Sequence, residues 1–425
     1  MHLQNYKKYA RLFLTSQGRK NDFTMKIGIL RETKTPPDRR VPFSPQQAAA
    51  LMRQYPGLQV VVQPSEIRGF ADGEYEAAGV PLQEDLSDCD VLMGVKEVKT
   101  GTLIPGKTYF FFSHTAKKQP YNRGLLQEIL RRGIRLVDYE YLTTPEGVRV
   151  VAFGRWAGIV GAYNALRAWG ERTRAYALKP AWQCHDRKEM MDELKKVRLP
   201  AMKILITGGG RVAFGALETL EPLQLRQVAA EEFLTGTWDE PVLCRIDPDH
   251  YVVRKDFRPF ELQDFIRHPG EYRSVFFPFA TVTDLFIACH YWDPRSPVFL
   301  RPEDYRDPRF SIRTIADVSC DIGKPIPSTL RASTIAEPFY GYDPATGEET
   351  EPFREDVVTV MAVDNLPGEL PRDASEDFGR MLMEKVMPAL LGHDDEGIIQ
   401  RAVIAEDGHL TERFSYLRDY VEGKG

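Results

Sequence analysis

The chain has 425 residues, 43% of them hydrophobic, with 56 basic and 61 acidic side chains and a formal net charge of −5. That length accommodates about two to three domains with sizeable cores, while the interspersed charges exclude the basic footprint of a nucleic-acid binder and a polybasic membrane surface. Five scattered cysteines without a CxxC pair exclude a disulfide or zinc framework, so the expectation is reduced thiols, no metal and a cytoplasmic location.

No apolar run has the length of a transmembrane helix, and the short patch at residues 10–14 is too small for a signal peptide. Residues 1–24 read as an N-terminal extension, an upstream-start addition or a loose and disordered arm, outside the fold. From Met25, strand-like runs at residues 26–30, 58–63, 90–95, 108–112 and 135–138 alternate with helical segments, and Ser44-Pro45 supplies an N-cap and a first helical residue for a helix over 44–53. This alternation predicts an α/β parallel sheet, whose ligands bind beyond the carboxyl ends of the strands.

Arg31, Lys34, Arg39 and Arg40 crowd the loop after the first strand, either as a ligand-binding cluster or as solvated charge. Lys96 and His114 close two further strands. Burial and neighbouring cations lower a lysine toward use as a base, and histidine already titrates near neutrality. A histidine satisfied by a backbone partner is the plainer alternative.

Residues 154–178 form a predicted long helix rich in small side chains, suited to packing between lobes, and residues 179–200 a short helix and linker. The domains are therefore placed at 25–150 plus 365–425 for substrate, and 151–364 for cofactor. In the second, KILITGGGRVAFG runs from an apolar strand through Gly208, Gly209 and Gly210 into a helix opened by Arg211 and Val212, with a small residue, Ala213, in third place. Strand, glycine turn and helix start make a seat for a dinucleotide pyrophosphate. A second strand is expected near residues 226–229, and Glu231 stands at about the usual spacing for an acid that bonds the ribose and favours NAD. Later strands at 284–290, 312–318 and 357–363 end in polar groups, among them His290, which reads as an ordinary strand-end histidine. Residues 373–391 are helical in pattern and are expected to pack on the first domain.

The ordered strings LRETKTPPDRRVPFSP, GVKEV, FFFSHTAKKQP, YEYL and RVVAFGRWAGIVGAYNALRAWG resemble the alanine dehydrogenase and pyridine nucleotide transhydrogenase superfamily, and ADVSCDI and AVDNLPGELPRDAS resemble its NAD-dependent, lysine-forming saccharopine dehydrogenase type. The resemblance implies two Rossmann-like lobes with parallel sheets and an interdomain cleft, joined by long helices. It implies acid/base roles for Lys96 and His114 and carboxylate binding by Arg40 and Arg149. Lys117, Gln119, Glu97 and Glu140 fall in the substrate region, and Ser319, Asp321 and Asp364 join the glycine turn around NAD. The implied reaction takes saccharopine, NAD and water to lysine, 2-oxoglutarate and NADH. An alanine-dehydrogenase-like deaminase and a catalytically idle NAD-binding sensor remain as alternatives. The expected partners are a small amino-acid or 2-oxo-acid substrate and, at most, a second copy of the chain, with no nucleic acid and no membrane.

Overall fold

A computed structural model describes residues 24–424, so the extension through residue 23 lies outside the described residues. In chain order the strands are β1 (Met25–Ile29), β2 (Leu58–Val62), β3 (Val91–Met93), β4 (Thr108–Phe111), β5 (Arg135–Asp138), β6 (Lys203–Thr207), β7 (Arg226–Gln227), β8 (Val242–Ile246), β9 (Val252–Arg254), β10 (Tyr272–Ser274), β11 (Leu285–Ala288), β12 (Thr314–Asp317), β13 (Phe339–Tyr342), β14 (Glu349–Thr350), β15 (Val358–Met361), β16 (Val403–Glu406) and β17 (His409–Leu410). They divide between two compact units, one made of the described residues through Ala152 together with those from Pro371 onward, the other of Phe153–Leu370.

In the first unit the sheet order is β17-β16-β5-β4-β3-β1-β2. Strands β1 to β5 are parallel, which brings their carboxyl ends to one edge. Their continuous apolar runs suit strands buried on both faces. Helix Pro45–Gln54 begins as expected: Ser44 caps it, with a reciprocal capping box to Gln47. Two strands were not foreseen. β16 lies antiparallel on β5 and β17 on β16, turned at Asp407-Gly408, both with positive φ. Helix Pro371–Met381 belongs to this unit and sets Phe378 against the rings of Phe112 and Tyr139.

The second unit has the order β14-β13-β15-β12-β11-β6-β8-β7, parallel from β15 to β7. Its long helix, Gly154–Thr173, ends earlier than expected, where Arg174 turns left-handed. The small side chains on this helix, expected to pack between lobes, serve close packing inside the second unit. A Cβ on Gly158 would stand 1.8 Å from the Val212 carbonyl oxygen, and one on Gly215 would stand 2.0 Å from that of Arg155. This helix and helix Arg211–Leu220 therefore meet backbone to backbone. Gly158→Val is expected to cost about 3 kcal/mol in denaturant unfolding, whereas Gly73→Ala, with nothing within 4 Å, should be neutral or stabilising.

Residues 365–370, expected in the first unit, belong to the second. The turn Leu366–Glu369 is held to the long helix by Asn164, whose Nδ2 donates to Glu369 Oε1 at 2.7 Å. No helix among the described residues is long and apolar enough to cross a membrane.

Candidate active site

The parallel strands of the first unit deliver their loops to a common edge, where the titratable groups collect. Lys96 and Glu97 follow β3, His114 and Lys117 follow β4, and Glu140 follows β5. His114 adopts a left-handed backbone, φ 53°, a conformation that persists in a bulky residue only when its surroundings hold it. Ser113 beside it is buried, with backbone N and Oγ donating to Asp138 Oδ2 at 3.0 and 2.5 Å.

Electrostatics sort these groups. Burial, reinforced by the nearby Arg40 guanidinium, brings Lys96 down to about 8. Glu97 is half-buried; burial alone would raise it, but the bond and charge from His114, whose Nδ1 lies 2.7 Å from Oε1, hold it at about 2. Lys34 Nζ donates to the other Glu97 oxygen at 3.0 Å. For Glu140, burial is likewise outweighed by Arg149 and Lys117, so its carboxyl is lowered. Arg149 is exposed and paired with Glu140, and Lys117 stands 3.3 Å from it.

Arg40 is only 3% exposed, and its Nε and Nη2 donate to Asp38 at 3.0 and 2.6 Å. Gln119 accepts from Tyr121 and, through its carbonyl, from Tyr420 at 2.5 Å. The structure thus brings Lys96, Glu97 and His114 together with Lys34 and Arg40, and gathers Lys117 and Arg149 on Glu140. Lys34 and Asp38 were not among the assigned site residues. Lys34 was visible in the basic cluster, whereas a carboxylate two residues before Arg40 carries no spacing signal of its own.

In the second unit the glycine turn follows β6. Gly208 has φ +103°, and a Cβ on it would lie 2.7 Å from the Cys289 carbonyl oxygen; on Gly209 it would lie 2.6 Å from Asp247 Oδ1. At Gly210 the corresponding space is empty, and no side chain caps helix Arg211–Leu220. An open helix start above a cradle that only glycine fits suits a phosphate group. Ala213 is fully buried, as the third position of the fingerprint requires. Ser319, after β12, donates through Oγ to the His290 carbonyl at 2.5 Å, tying together the ends of β11 and β12. Asp321 is raised to about 6 by burial, and Asp364 stands exposed after β15. His290 is a buried histidine bonded at 2.9 Å to Thr207, and burial brings it down to about 3.

Glu231 is displaced from this site. The strand expected before it is reduced to the two-residue β7 at the sheet edge, and Glu231 sits on the exposed first turn of helix Ala230–Thr235. β8 occupies the place beside β6, so the acid at its end, Asp247, reaches the glycine turn. Arg245 lies between them, its Nη1 donating at 2.7 Å to both Asp247 oxygens and at 3.1 Å to the Gly208 carbonyl. The available signal was the apolar run VLCRI ending in Asp247, well beyond the spacing of about 20 residues that directs attention to Glu231.

The profile of the family "Alanine dehydrogenase/PNT, N-terminal domain" matches residues 28–160. The chain is 30% identical to the mitochondrial alpha-aminoadipic semialdehyde synthase of Bos taurus, over 94% of this chain and 48% of that protein. It thus spans about half the length of that relative. Saccharopine dehydrogenase [NAD(+), L-lysine-forming] of Neurospora crassa is 27% identical over 84% of this chain and 88% of its own. A solved L-alanine dehydrogenase shares the fold, with a TM-score of 0.61 at 17% identity, covering 94% of this chain and 100% of that one. Residues 28–160 thus carry the alanine dehydrogenase/PNT N-terminal domain, and the chain as a whole is similar to saccharopine dehydrogenases over most of its length and shares its fold with an L-alanine dehydrogenase.

Proposed function

We propose that the chain is a nicotinamide-dependent oxidoreductase acting on the CH–NH bond of an opine-type amino acid, interconverting saccharopine, NAD and water with L-lysine, 2-oxoglutarate and NADH. The observation that carries this reading is the strand-end pair: Lys96, brought down to about 8 by burial and Arg40, with His114 on Glu97 at the next strand end. The similarity to the saccharopine dehydrogenase of Neurospora crassa supports the substrate class.

Lys96 in its neutral form takes the proton of the secondary amine. A nicotinamide, when bound, would supply the hydride acceptor. His114, oriented by Glu97, moves protons as water adds to the resulting substrate imine and the adduct separates into amine and 2-oxo acid. Arg40 and Arg149 hold substrate carboxylates, for which a planar guanidinium is suited; Lys117, Gln119 and Glu140 line the same region. In the second unit the Gly208–Gly210 turn and the helix start at Arg211 and Val212 would hold the pyrophosphate of a bound dinucleotide. Asp247 would take the ribose hydroxyls in place of Glu231, and Ser319, Asp321 and Asp364 would complete the cofactor site.

The test follows NADH absorbance with L-lysine and 2-oxoglutarate together and with each omitted. Turnover needing both is the expected result; turnover with pyruvate and ammonia alone would move the substrate to a small amino acid, and no turnover beside measurable NADH binding would leave a sensor. In the amine-oxidising direction the rate should climb as pH rises through about 8, because only about a tenth of a lysine with that pKa is neutral at pH 7. A profile flat from pH 6 to 9 would remove Lys96 as the base.

A further inference from the structure

Lys96 and His114 lie just past the points where β3 and β4 stop, and there the backbone is held by side chains. Glu32, in the loop after β1, accepts from the Val95 backbone N at 2.6 Å through Oε1 and from the Lys96 backbone N at 3.0 Å through Oε2. Asp138, the last residue of β5, accepts from Ser113 N and Oγ through one oxygen and from Glu140 N at 2.8 Å through the other. Both are buried, at 9% and 0% exposure.

The sheet order explains the pairing. β1 flanks β3 and β5 flanks β4, so each carboxylate comes from the strand next to the one it restrains. Past Ile29 and Asp138 those neighbours leave the ladder, and their carboxylates accept N–H groups that would otherwise face no carbonyl. Gly94 makes room for this, since a Cβ there would stand 3.3 Å from Glu32 Oε1. A buried carboxyl group loses its hydration whether or not it is ionised; placing one at each of two adjacent strand ends, each beside an acid/base candidate, is hard to assign to sheet stability alone.

We propose that Glu32 and Asp138 are positioning residues, Glu32 for Lys96 through the Val95 and Lys96 backbone N–H groups, and Asp138 for His114 through the backbone and hydroxyl of the adjoining Ser113, each acting from the adjacent strand. This rests on the acid/base reading of Lys96 and His114 given above. Burial pushes Glu32 up to about 8 and raises Asp138 as well, against the lowering effect of the N–H and O–H groups that each accepts.

The experiment compares wild type, Glu32→Gln and Asp138→Asn by turnover against pH and by proton NMR titration of His114, identified from its loss in His114→Gln. Charged groups acting on Lys96 include Arg40, Asp38, Lys34 and Glu97, and His114 faces Glu97 and Glu140; all of them are kept in every variant. The expected result is specific to each site. Turnover falls about 10- to 100-fold in either variant, as a small misplacement of an acid/base group does, with NADH affinity unchanged. Glu32→Gln moves the limb of the pH profile near pH 8 and leaves His114 in place; Asp138→Asn moves the His114 titration and leaves that limb. Either variant with wild-type turnover and an unmoved signal, or both variants disturbing both signals alike, would overturn the proposal. Glu32→Asp and Ser113→Ala carry the same comparison should the first variants fail to fold. Wild-type protein without turnover on any amine would instead sink the dehydrogenase reading, and the NMR titration, which needs no turnover, would still decide the positioning of His114.

Discussion

Lys96→Met is expected to lower the rate of the proposed amine oxidation by about 10²- to 10⁴-fold, the usual worth of a positioned acid/base group, and to leave NADH binding at the wild-type level. Methionine keeps the length and apolar stem of lysine and removes only the titrating nitrogen. The group it replaces is already tuned: burial and the charge of Arg40 bring it down to about 8. The residual rate should also lose its rise through that pH. Stopped-flow hydride transfer, beside calorimetric NADH titration, reads both effects. A loss below about threefold with the pH rise intact would show that another group takes the proton.

Asp38→Ala is expected to be the most destabilising single change in the first unit. The Arg40 and Asp38 side chains are 4% and 1% exposed and are joined through Arg40 Nη2 at 2.6 Å. Removing one member of a buried ion pair leaves the other charge uncompensated, at a cost of about 3–5 kcal/mol. For a unit of this size that corresponds to a fall in Tm of roughly 6–20 °C. Burial alone would raise the Asp38 carboxyl, but Arg40 holds it well below the usual carboxylate range. The stabilisation it contributes is therefore fully present above the ordinary carboxylate pKa and is lost only as pH falls through the depressed value. Wild type and variant should accordingly differ by a constant amount from about pH 5 upward and converge in strong acid. Asp38→Leu combined with Arg40→Met should recover most of the loss in denaturant unfolding, since a packed apolar pair is often as stable as a buried ionic one. A loss under about 1 kcal/mol in the single variant would mean that Arg40 reaches solvent on its own.

Much of the architecture was legible along the chain because short-range rules write it there. The strands β1 to β5, the helix capped by Ser44 and the strand-turn-helix at Gly208–Gly210 each declare themselves within a dozen residues through apolar runs, caps and glycines. The hairpin of β16 and β17 is marked in the chain by Asp407-Gly408 between short apolar runs. Lys96 and His114 stand out locally because each ends an apolar strand.

By itself, then, the sequence determined the two parallel sheets, the residues at their strand ends and the glycine cradle. Only the tertiary structure decided which of those ends are neighbours. It put β8 rather than β7 beside β6, and so brought Asp247 rather than Glu231 to the glycine turn. It kept residues 365–370 within the second unit. It closed Arg40 on Asp38 and set Glu32 and Asp138 under the loops that carry Lys96 and His114. The reason is physical: strand formation is fixed by nearby side chains and backbone freedom, whereas strand order and the partners of a charged group depend on segments far apart in the chain that meet only when the sheets assemble.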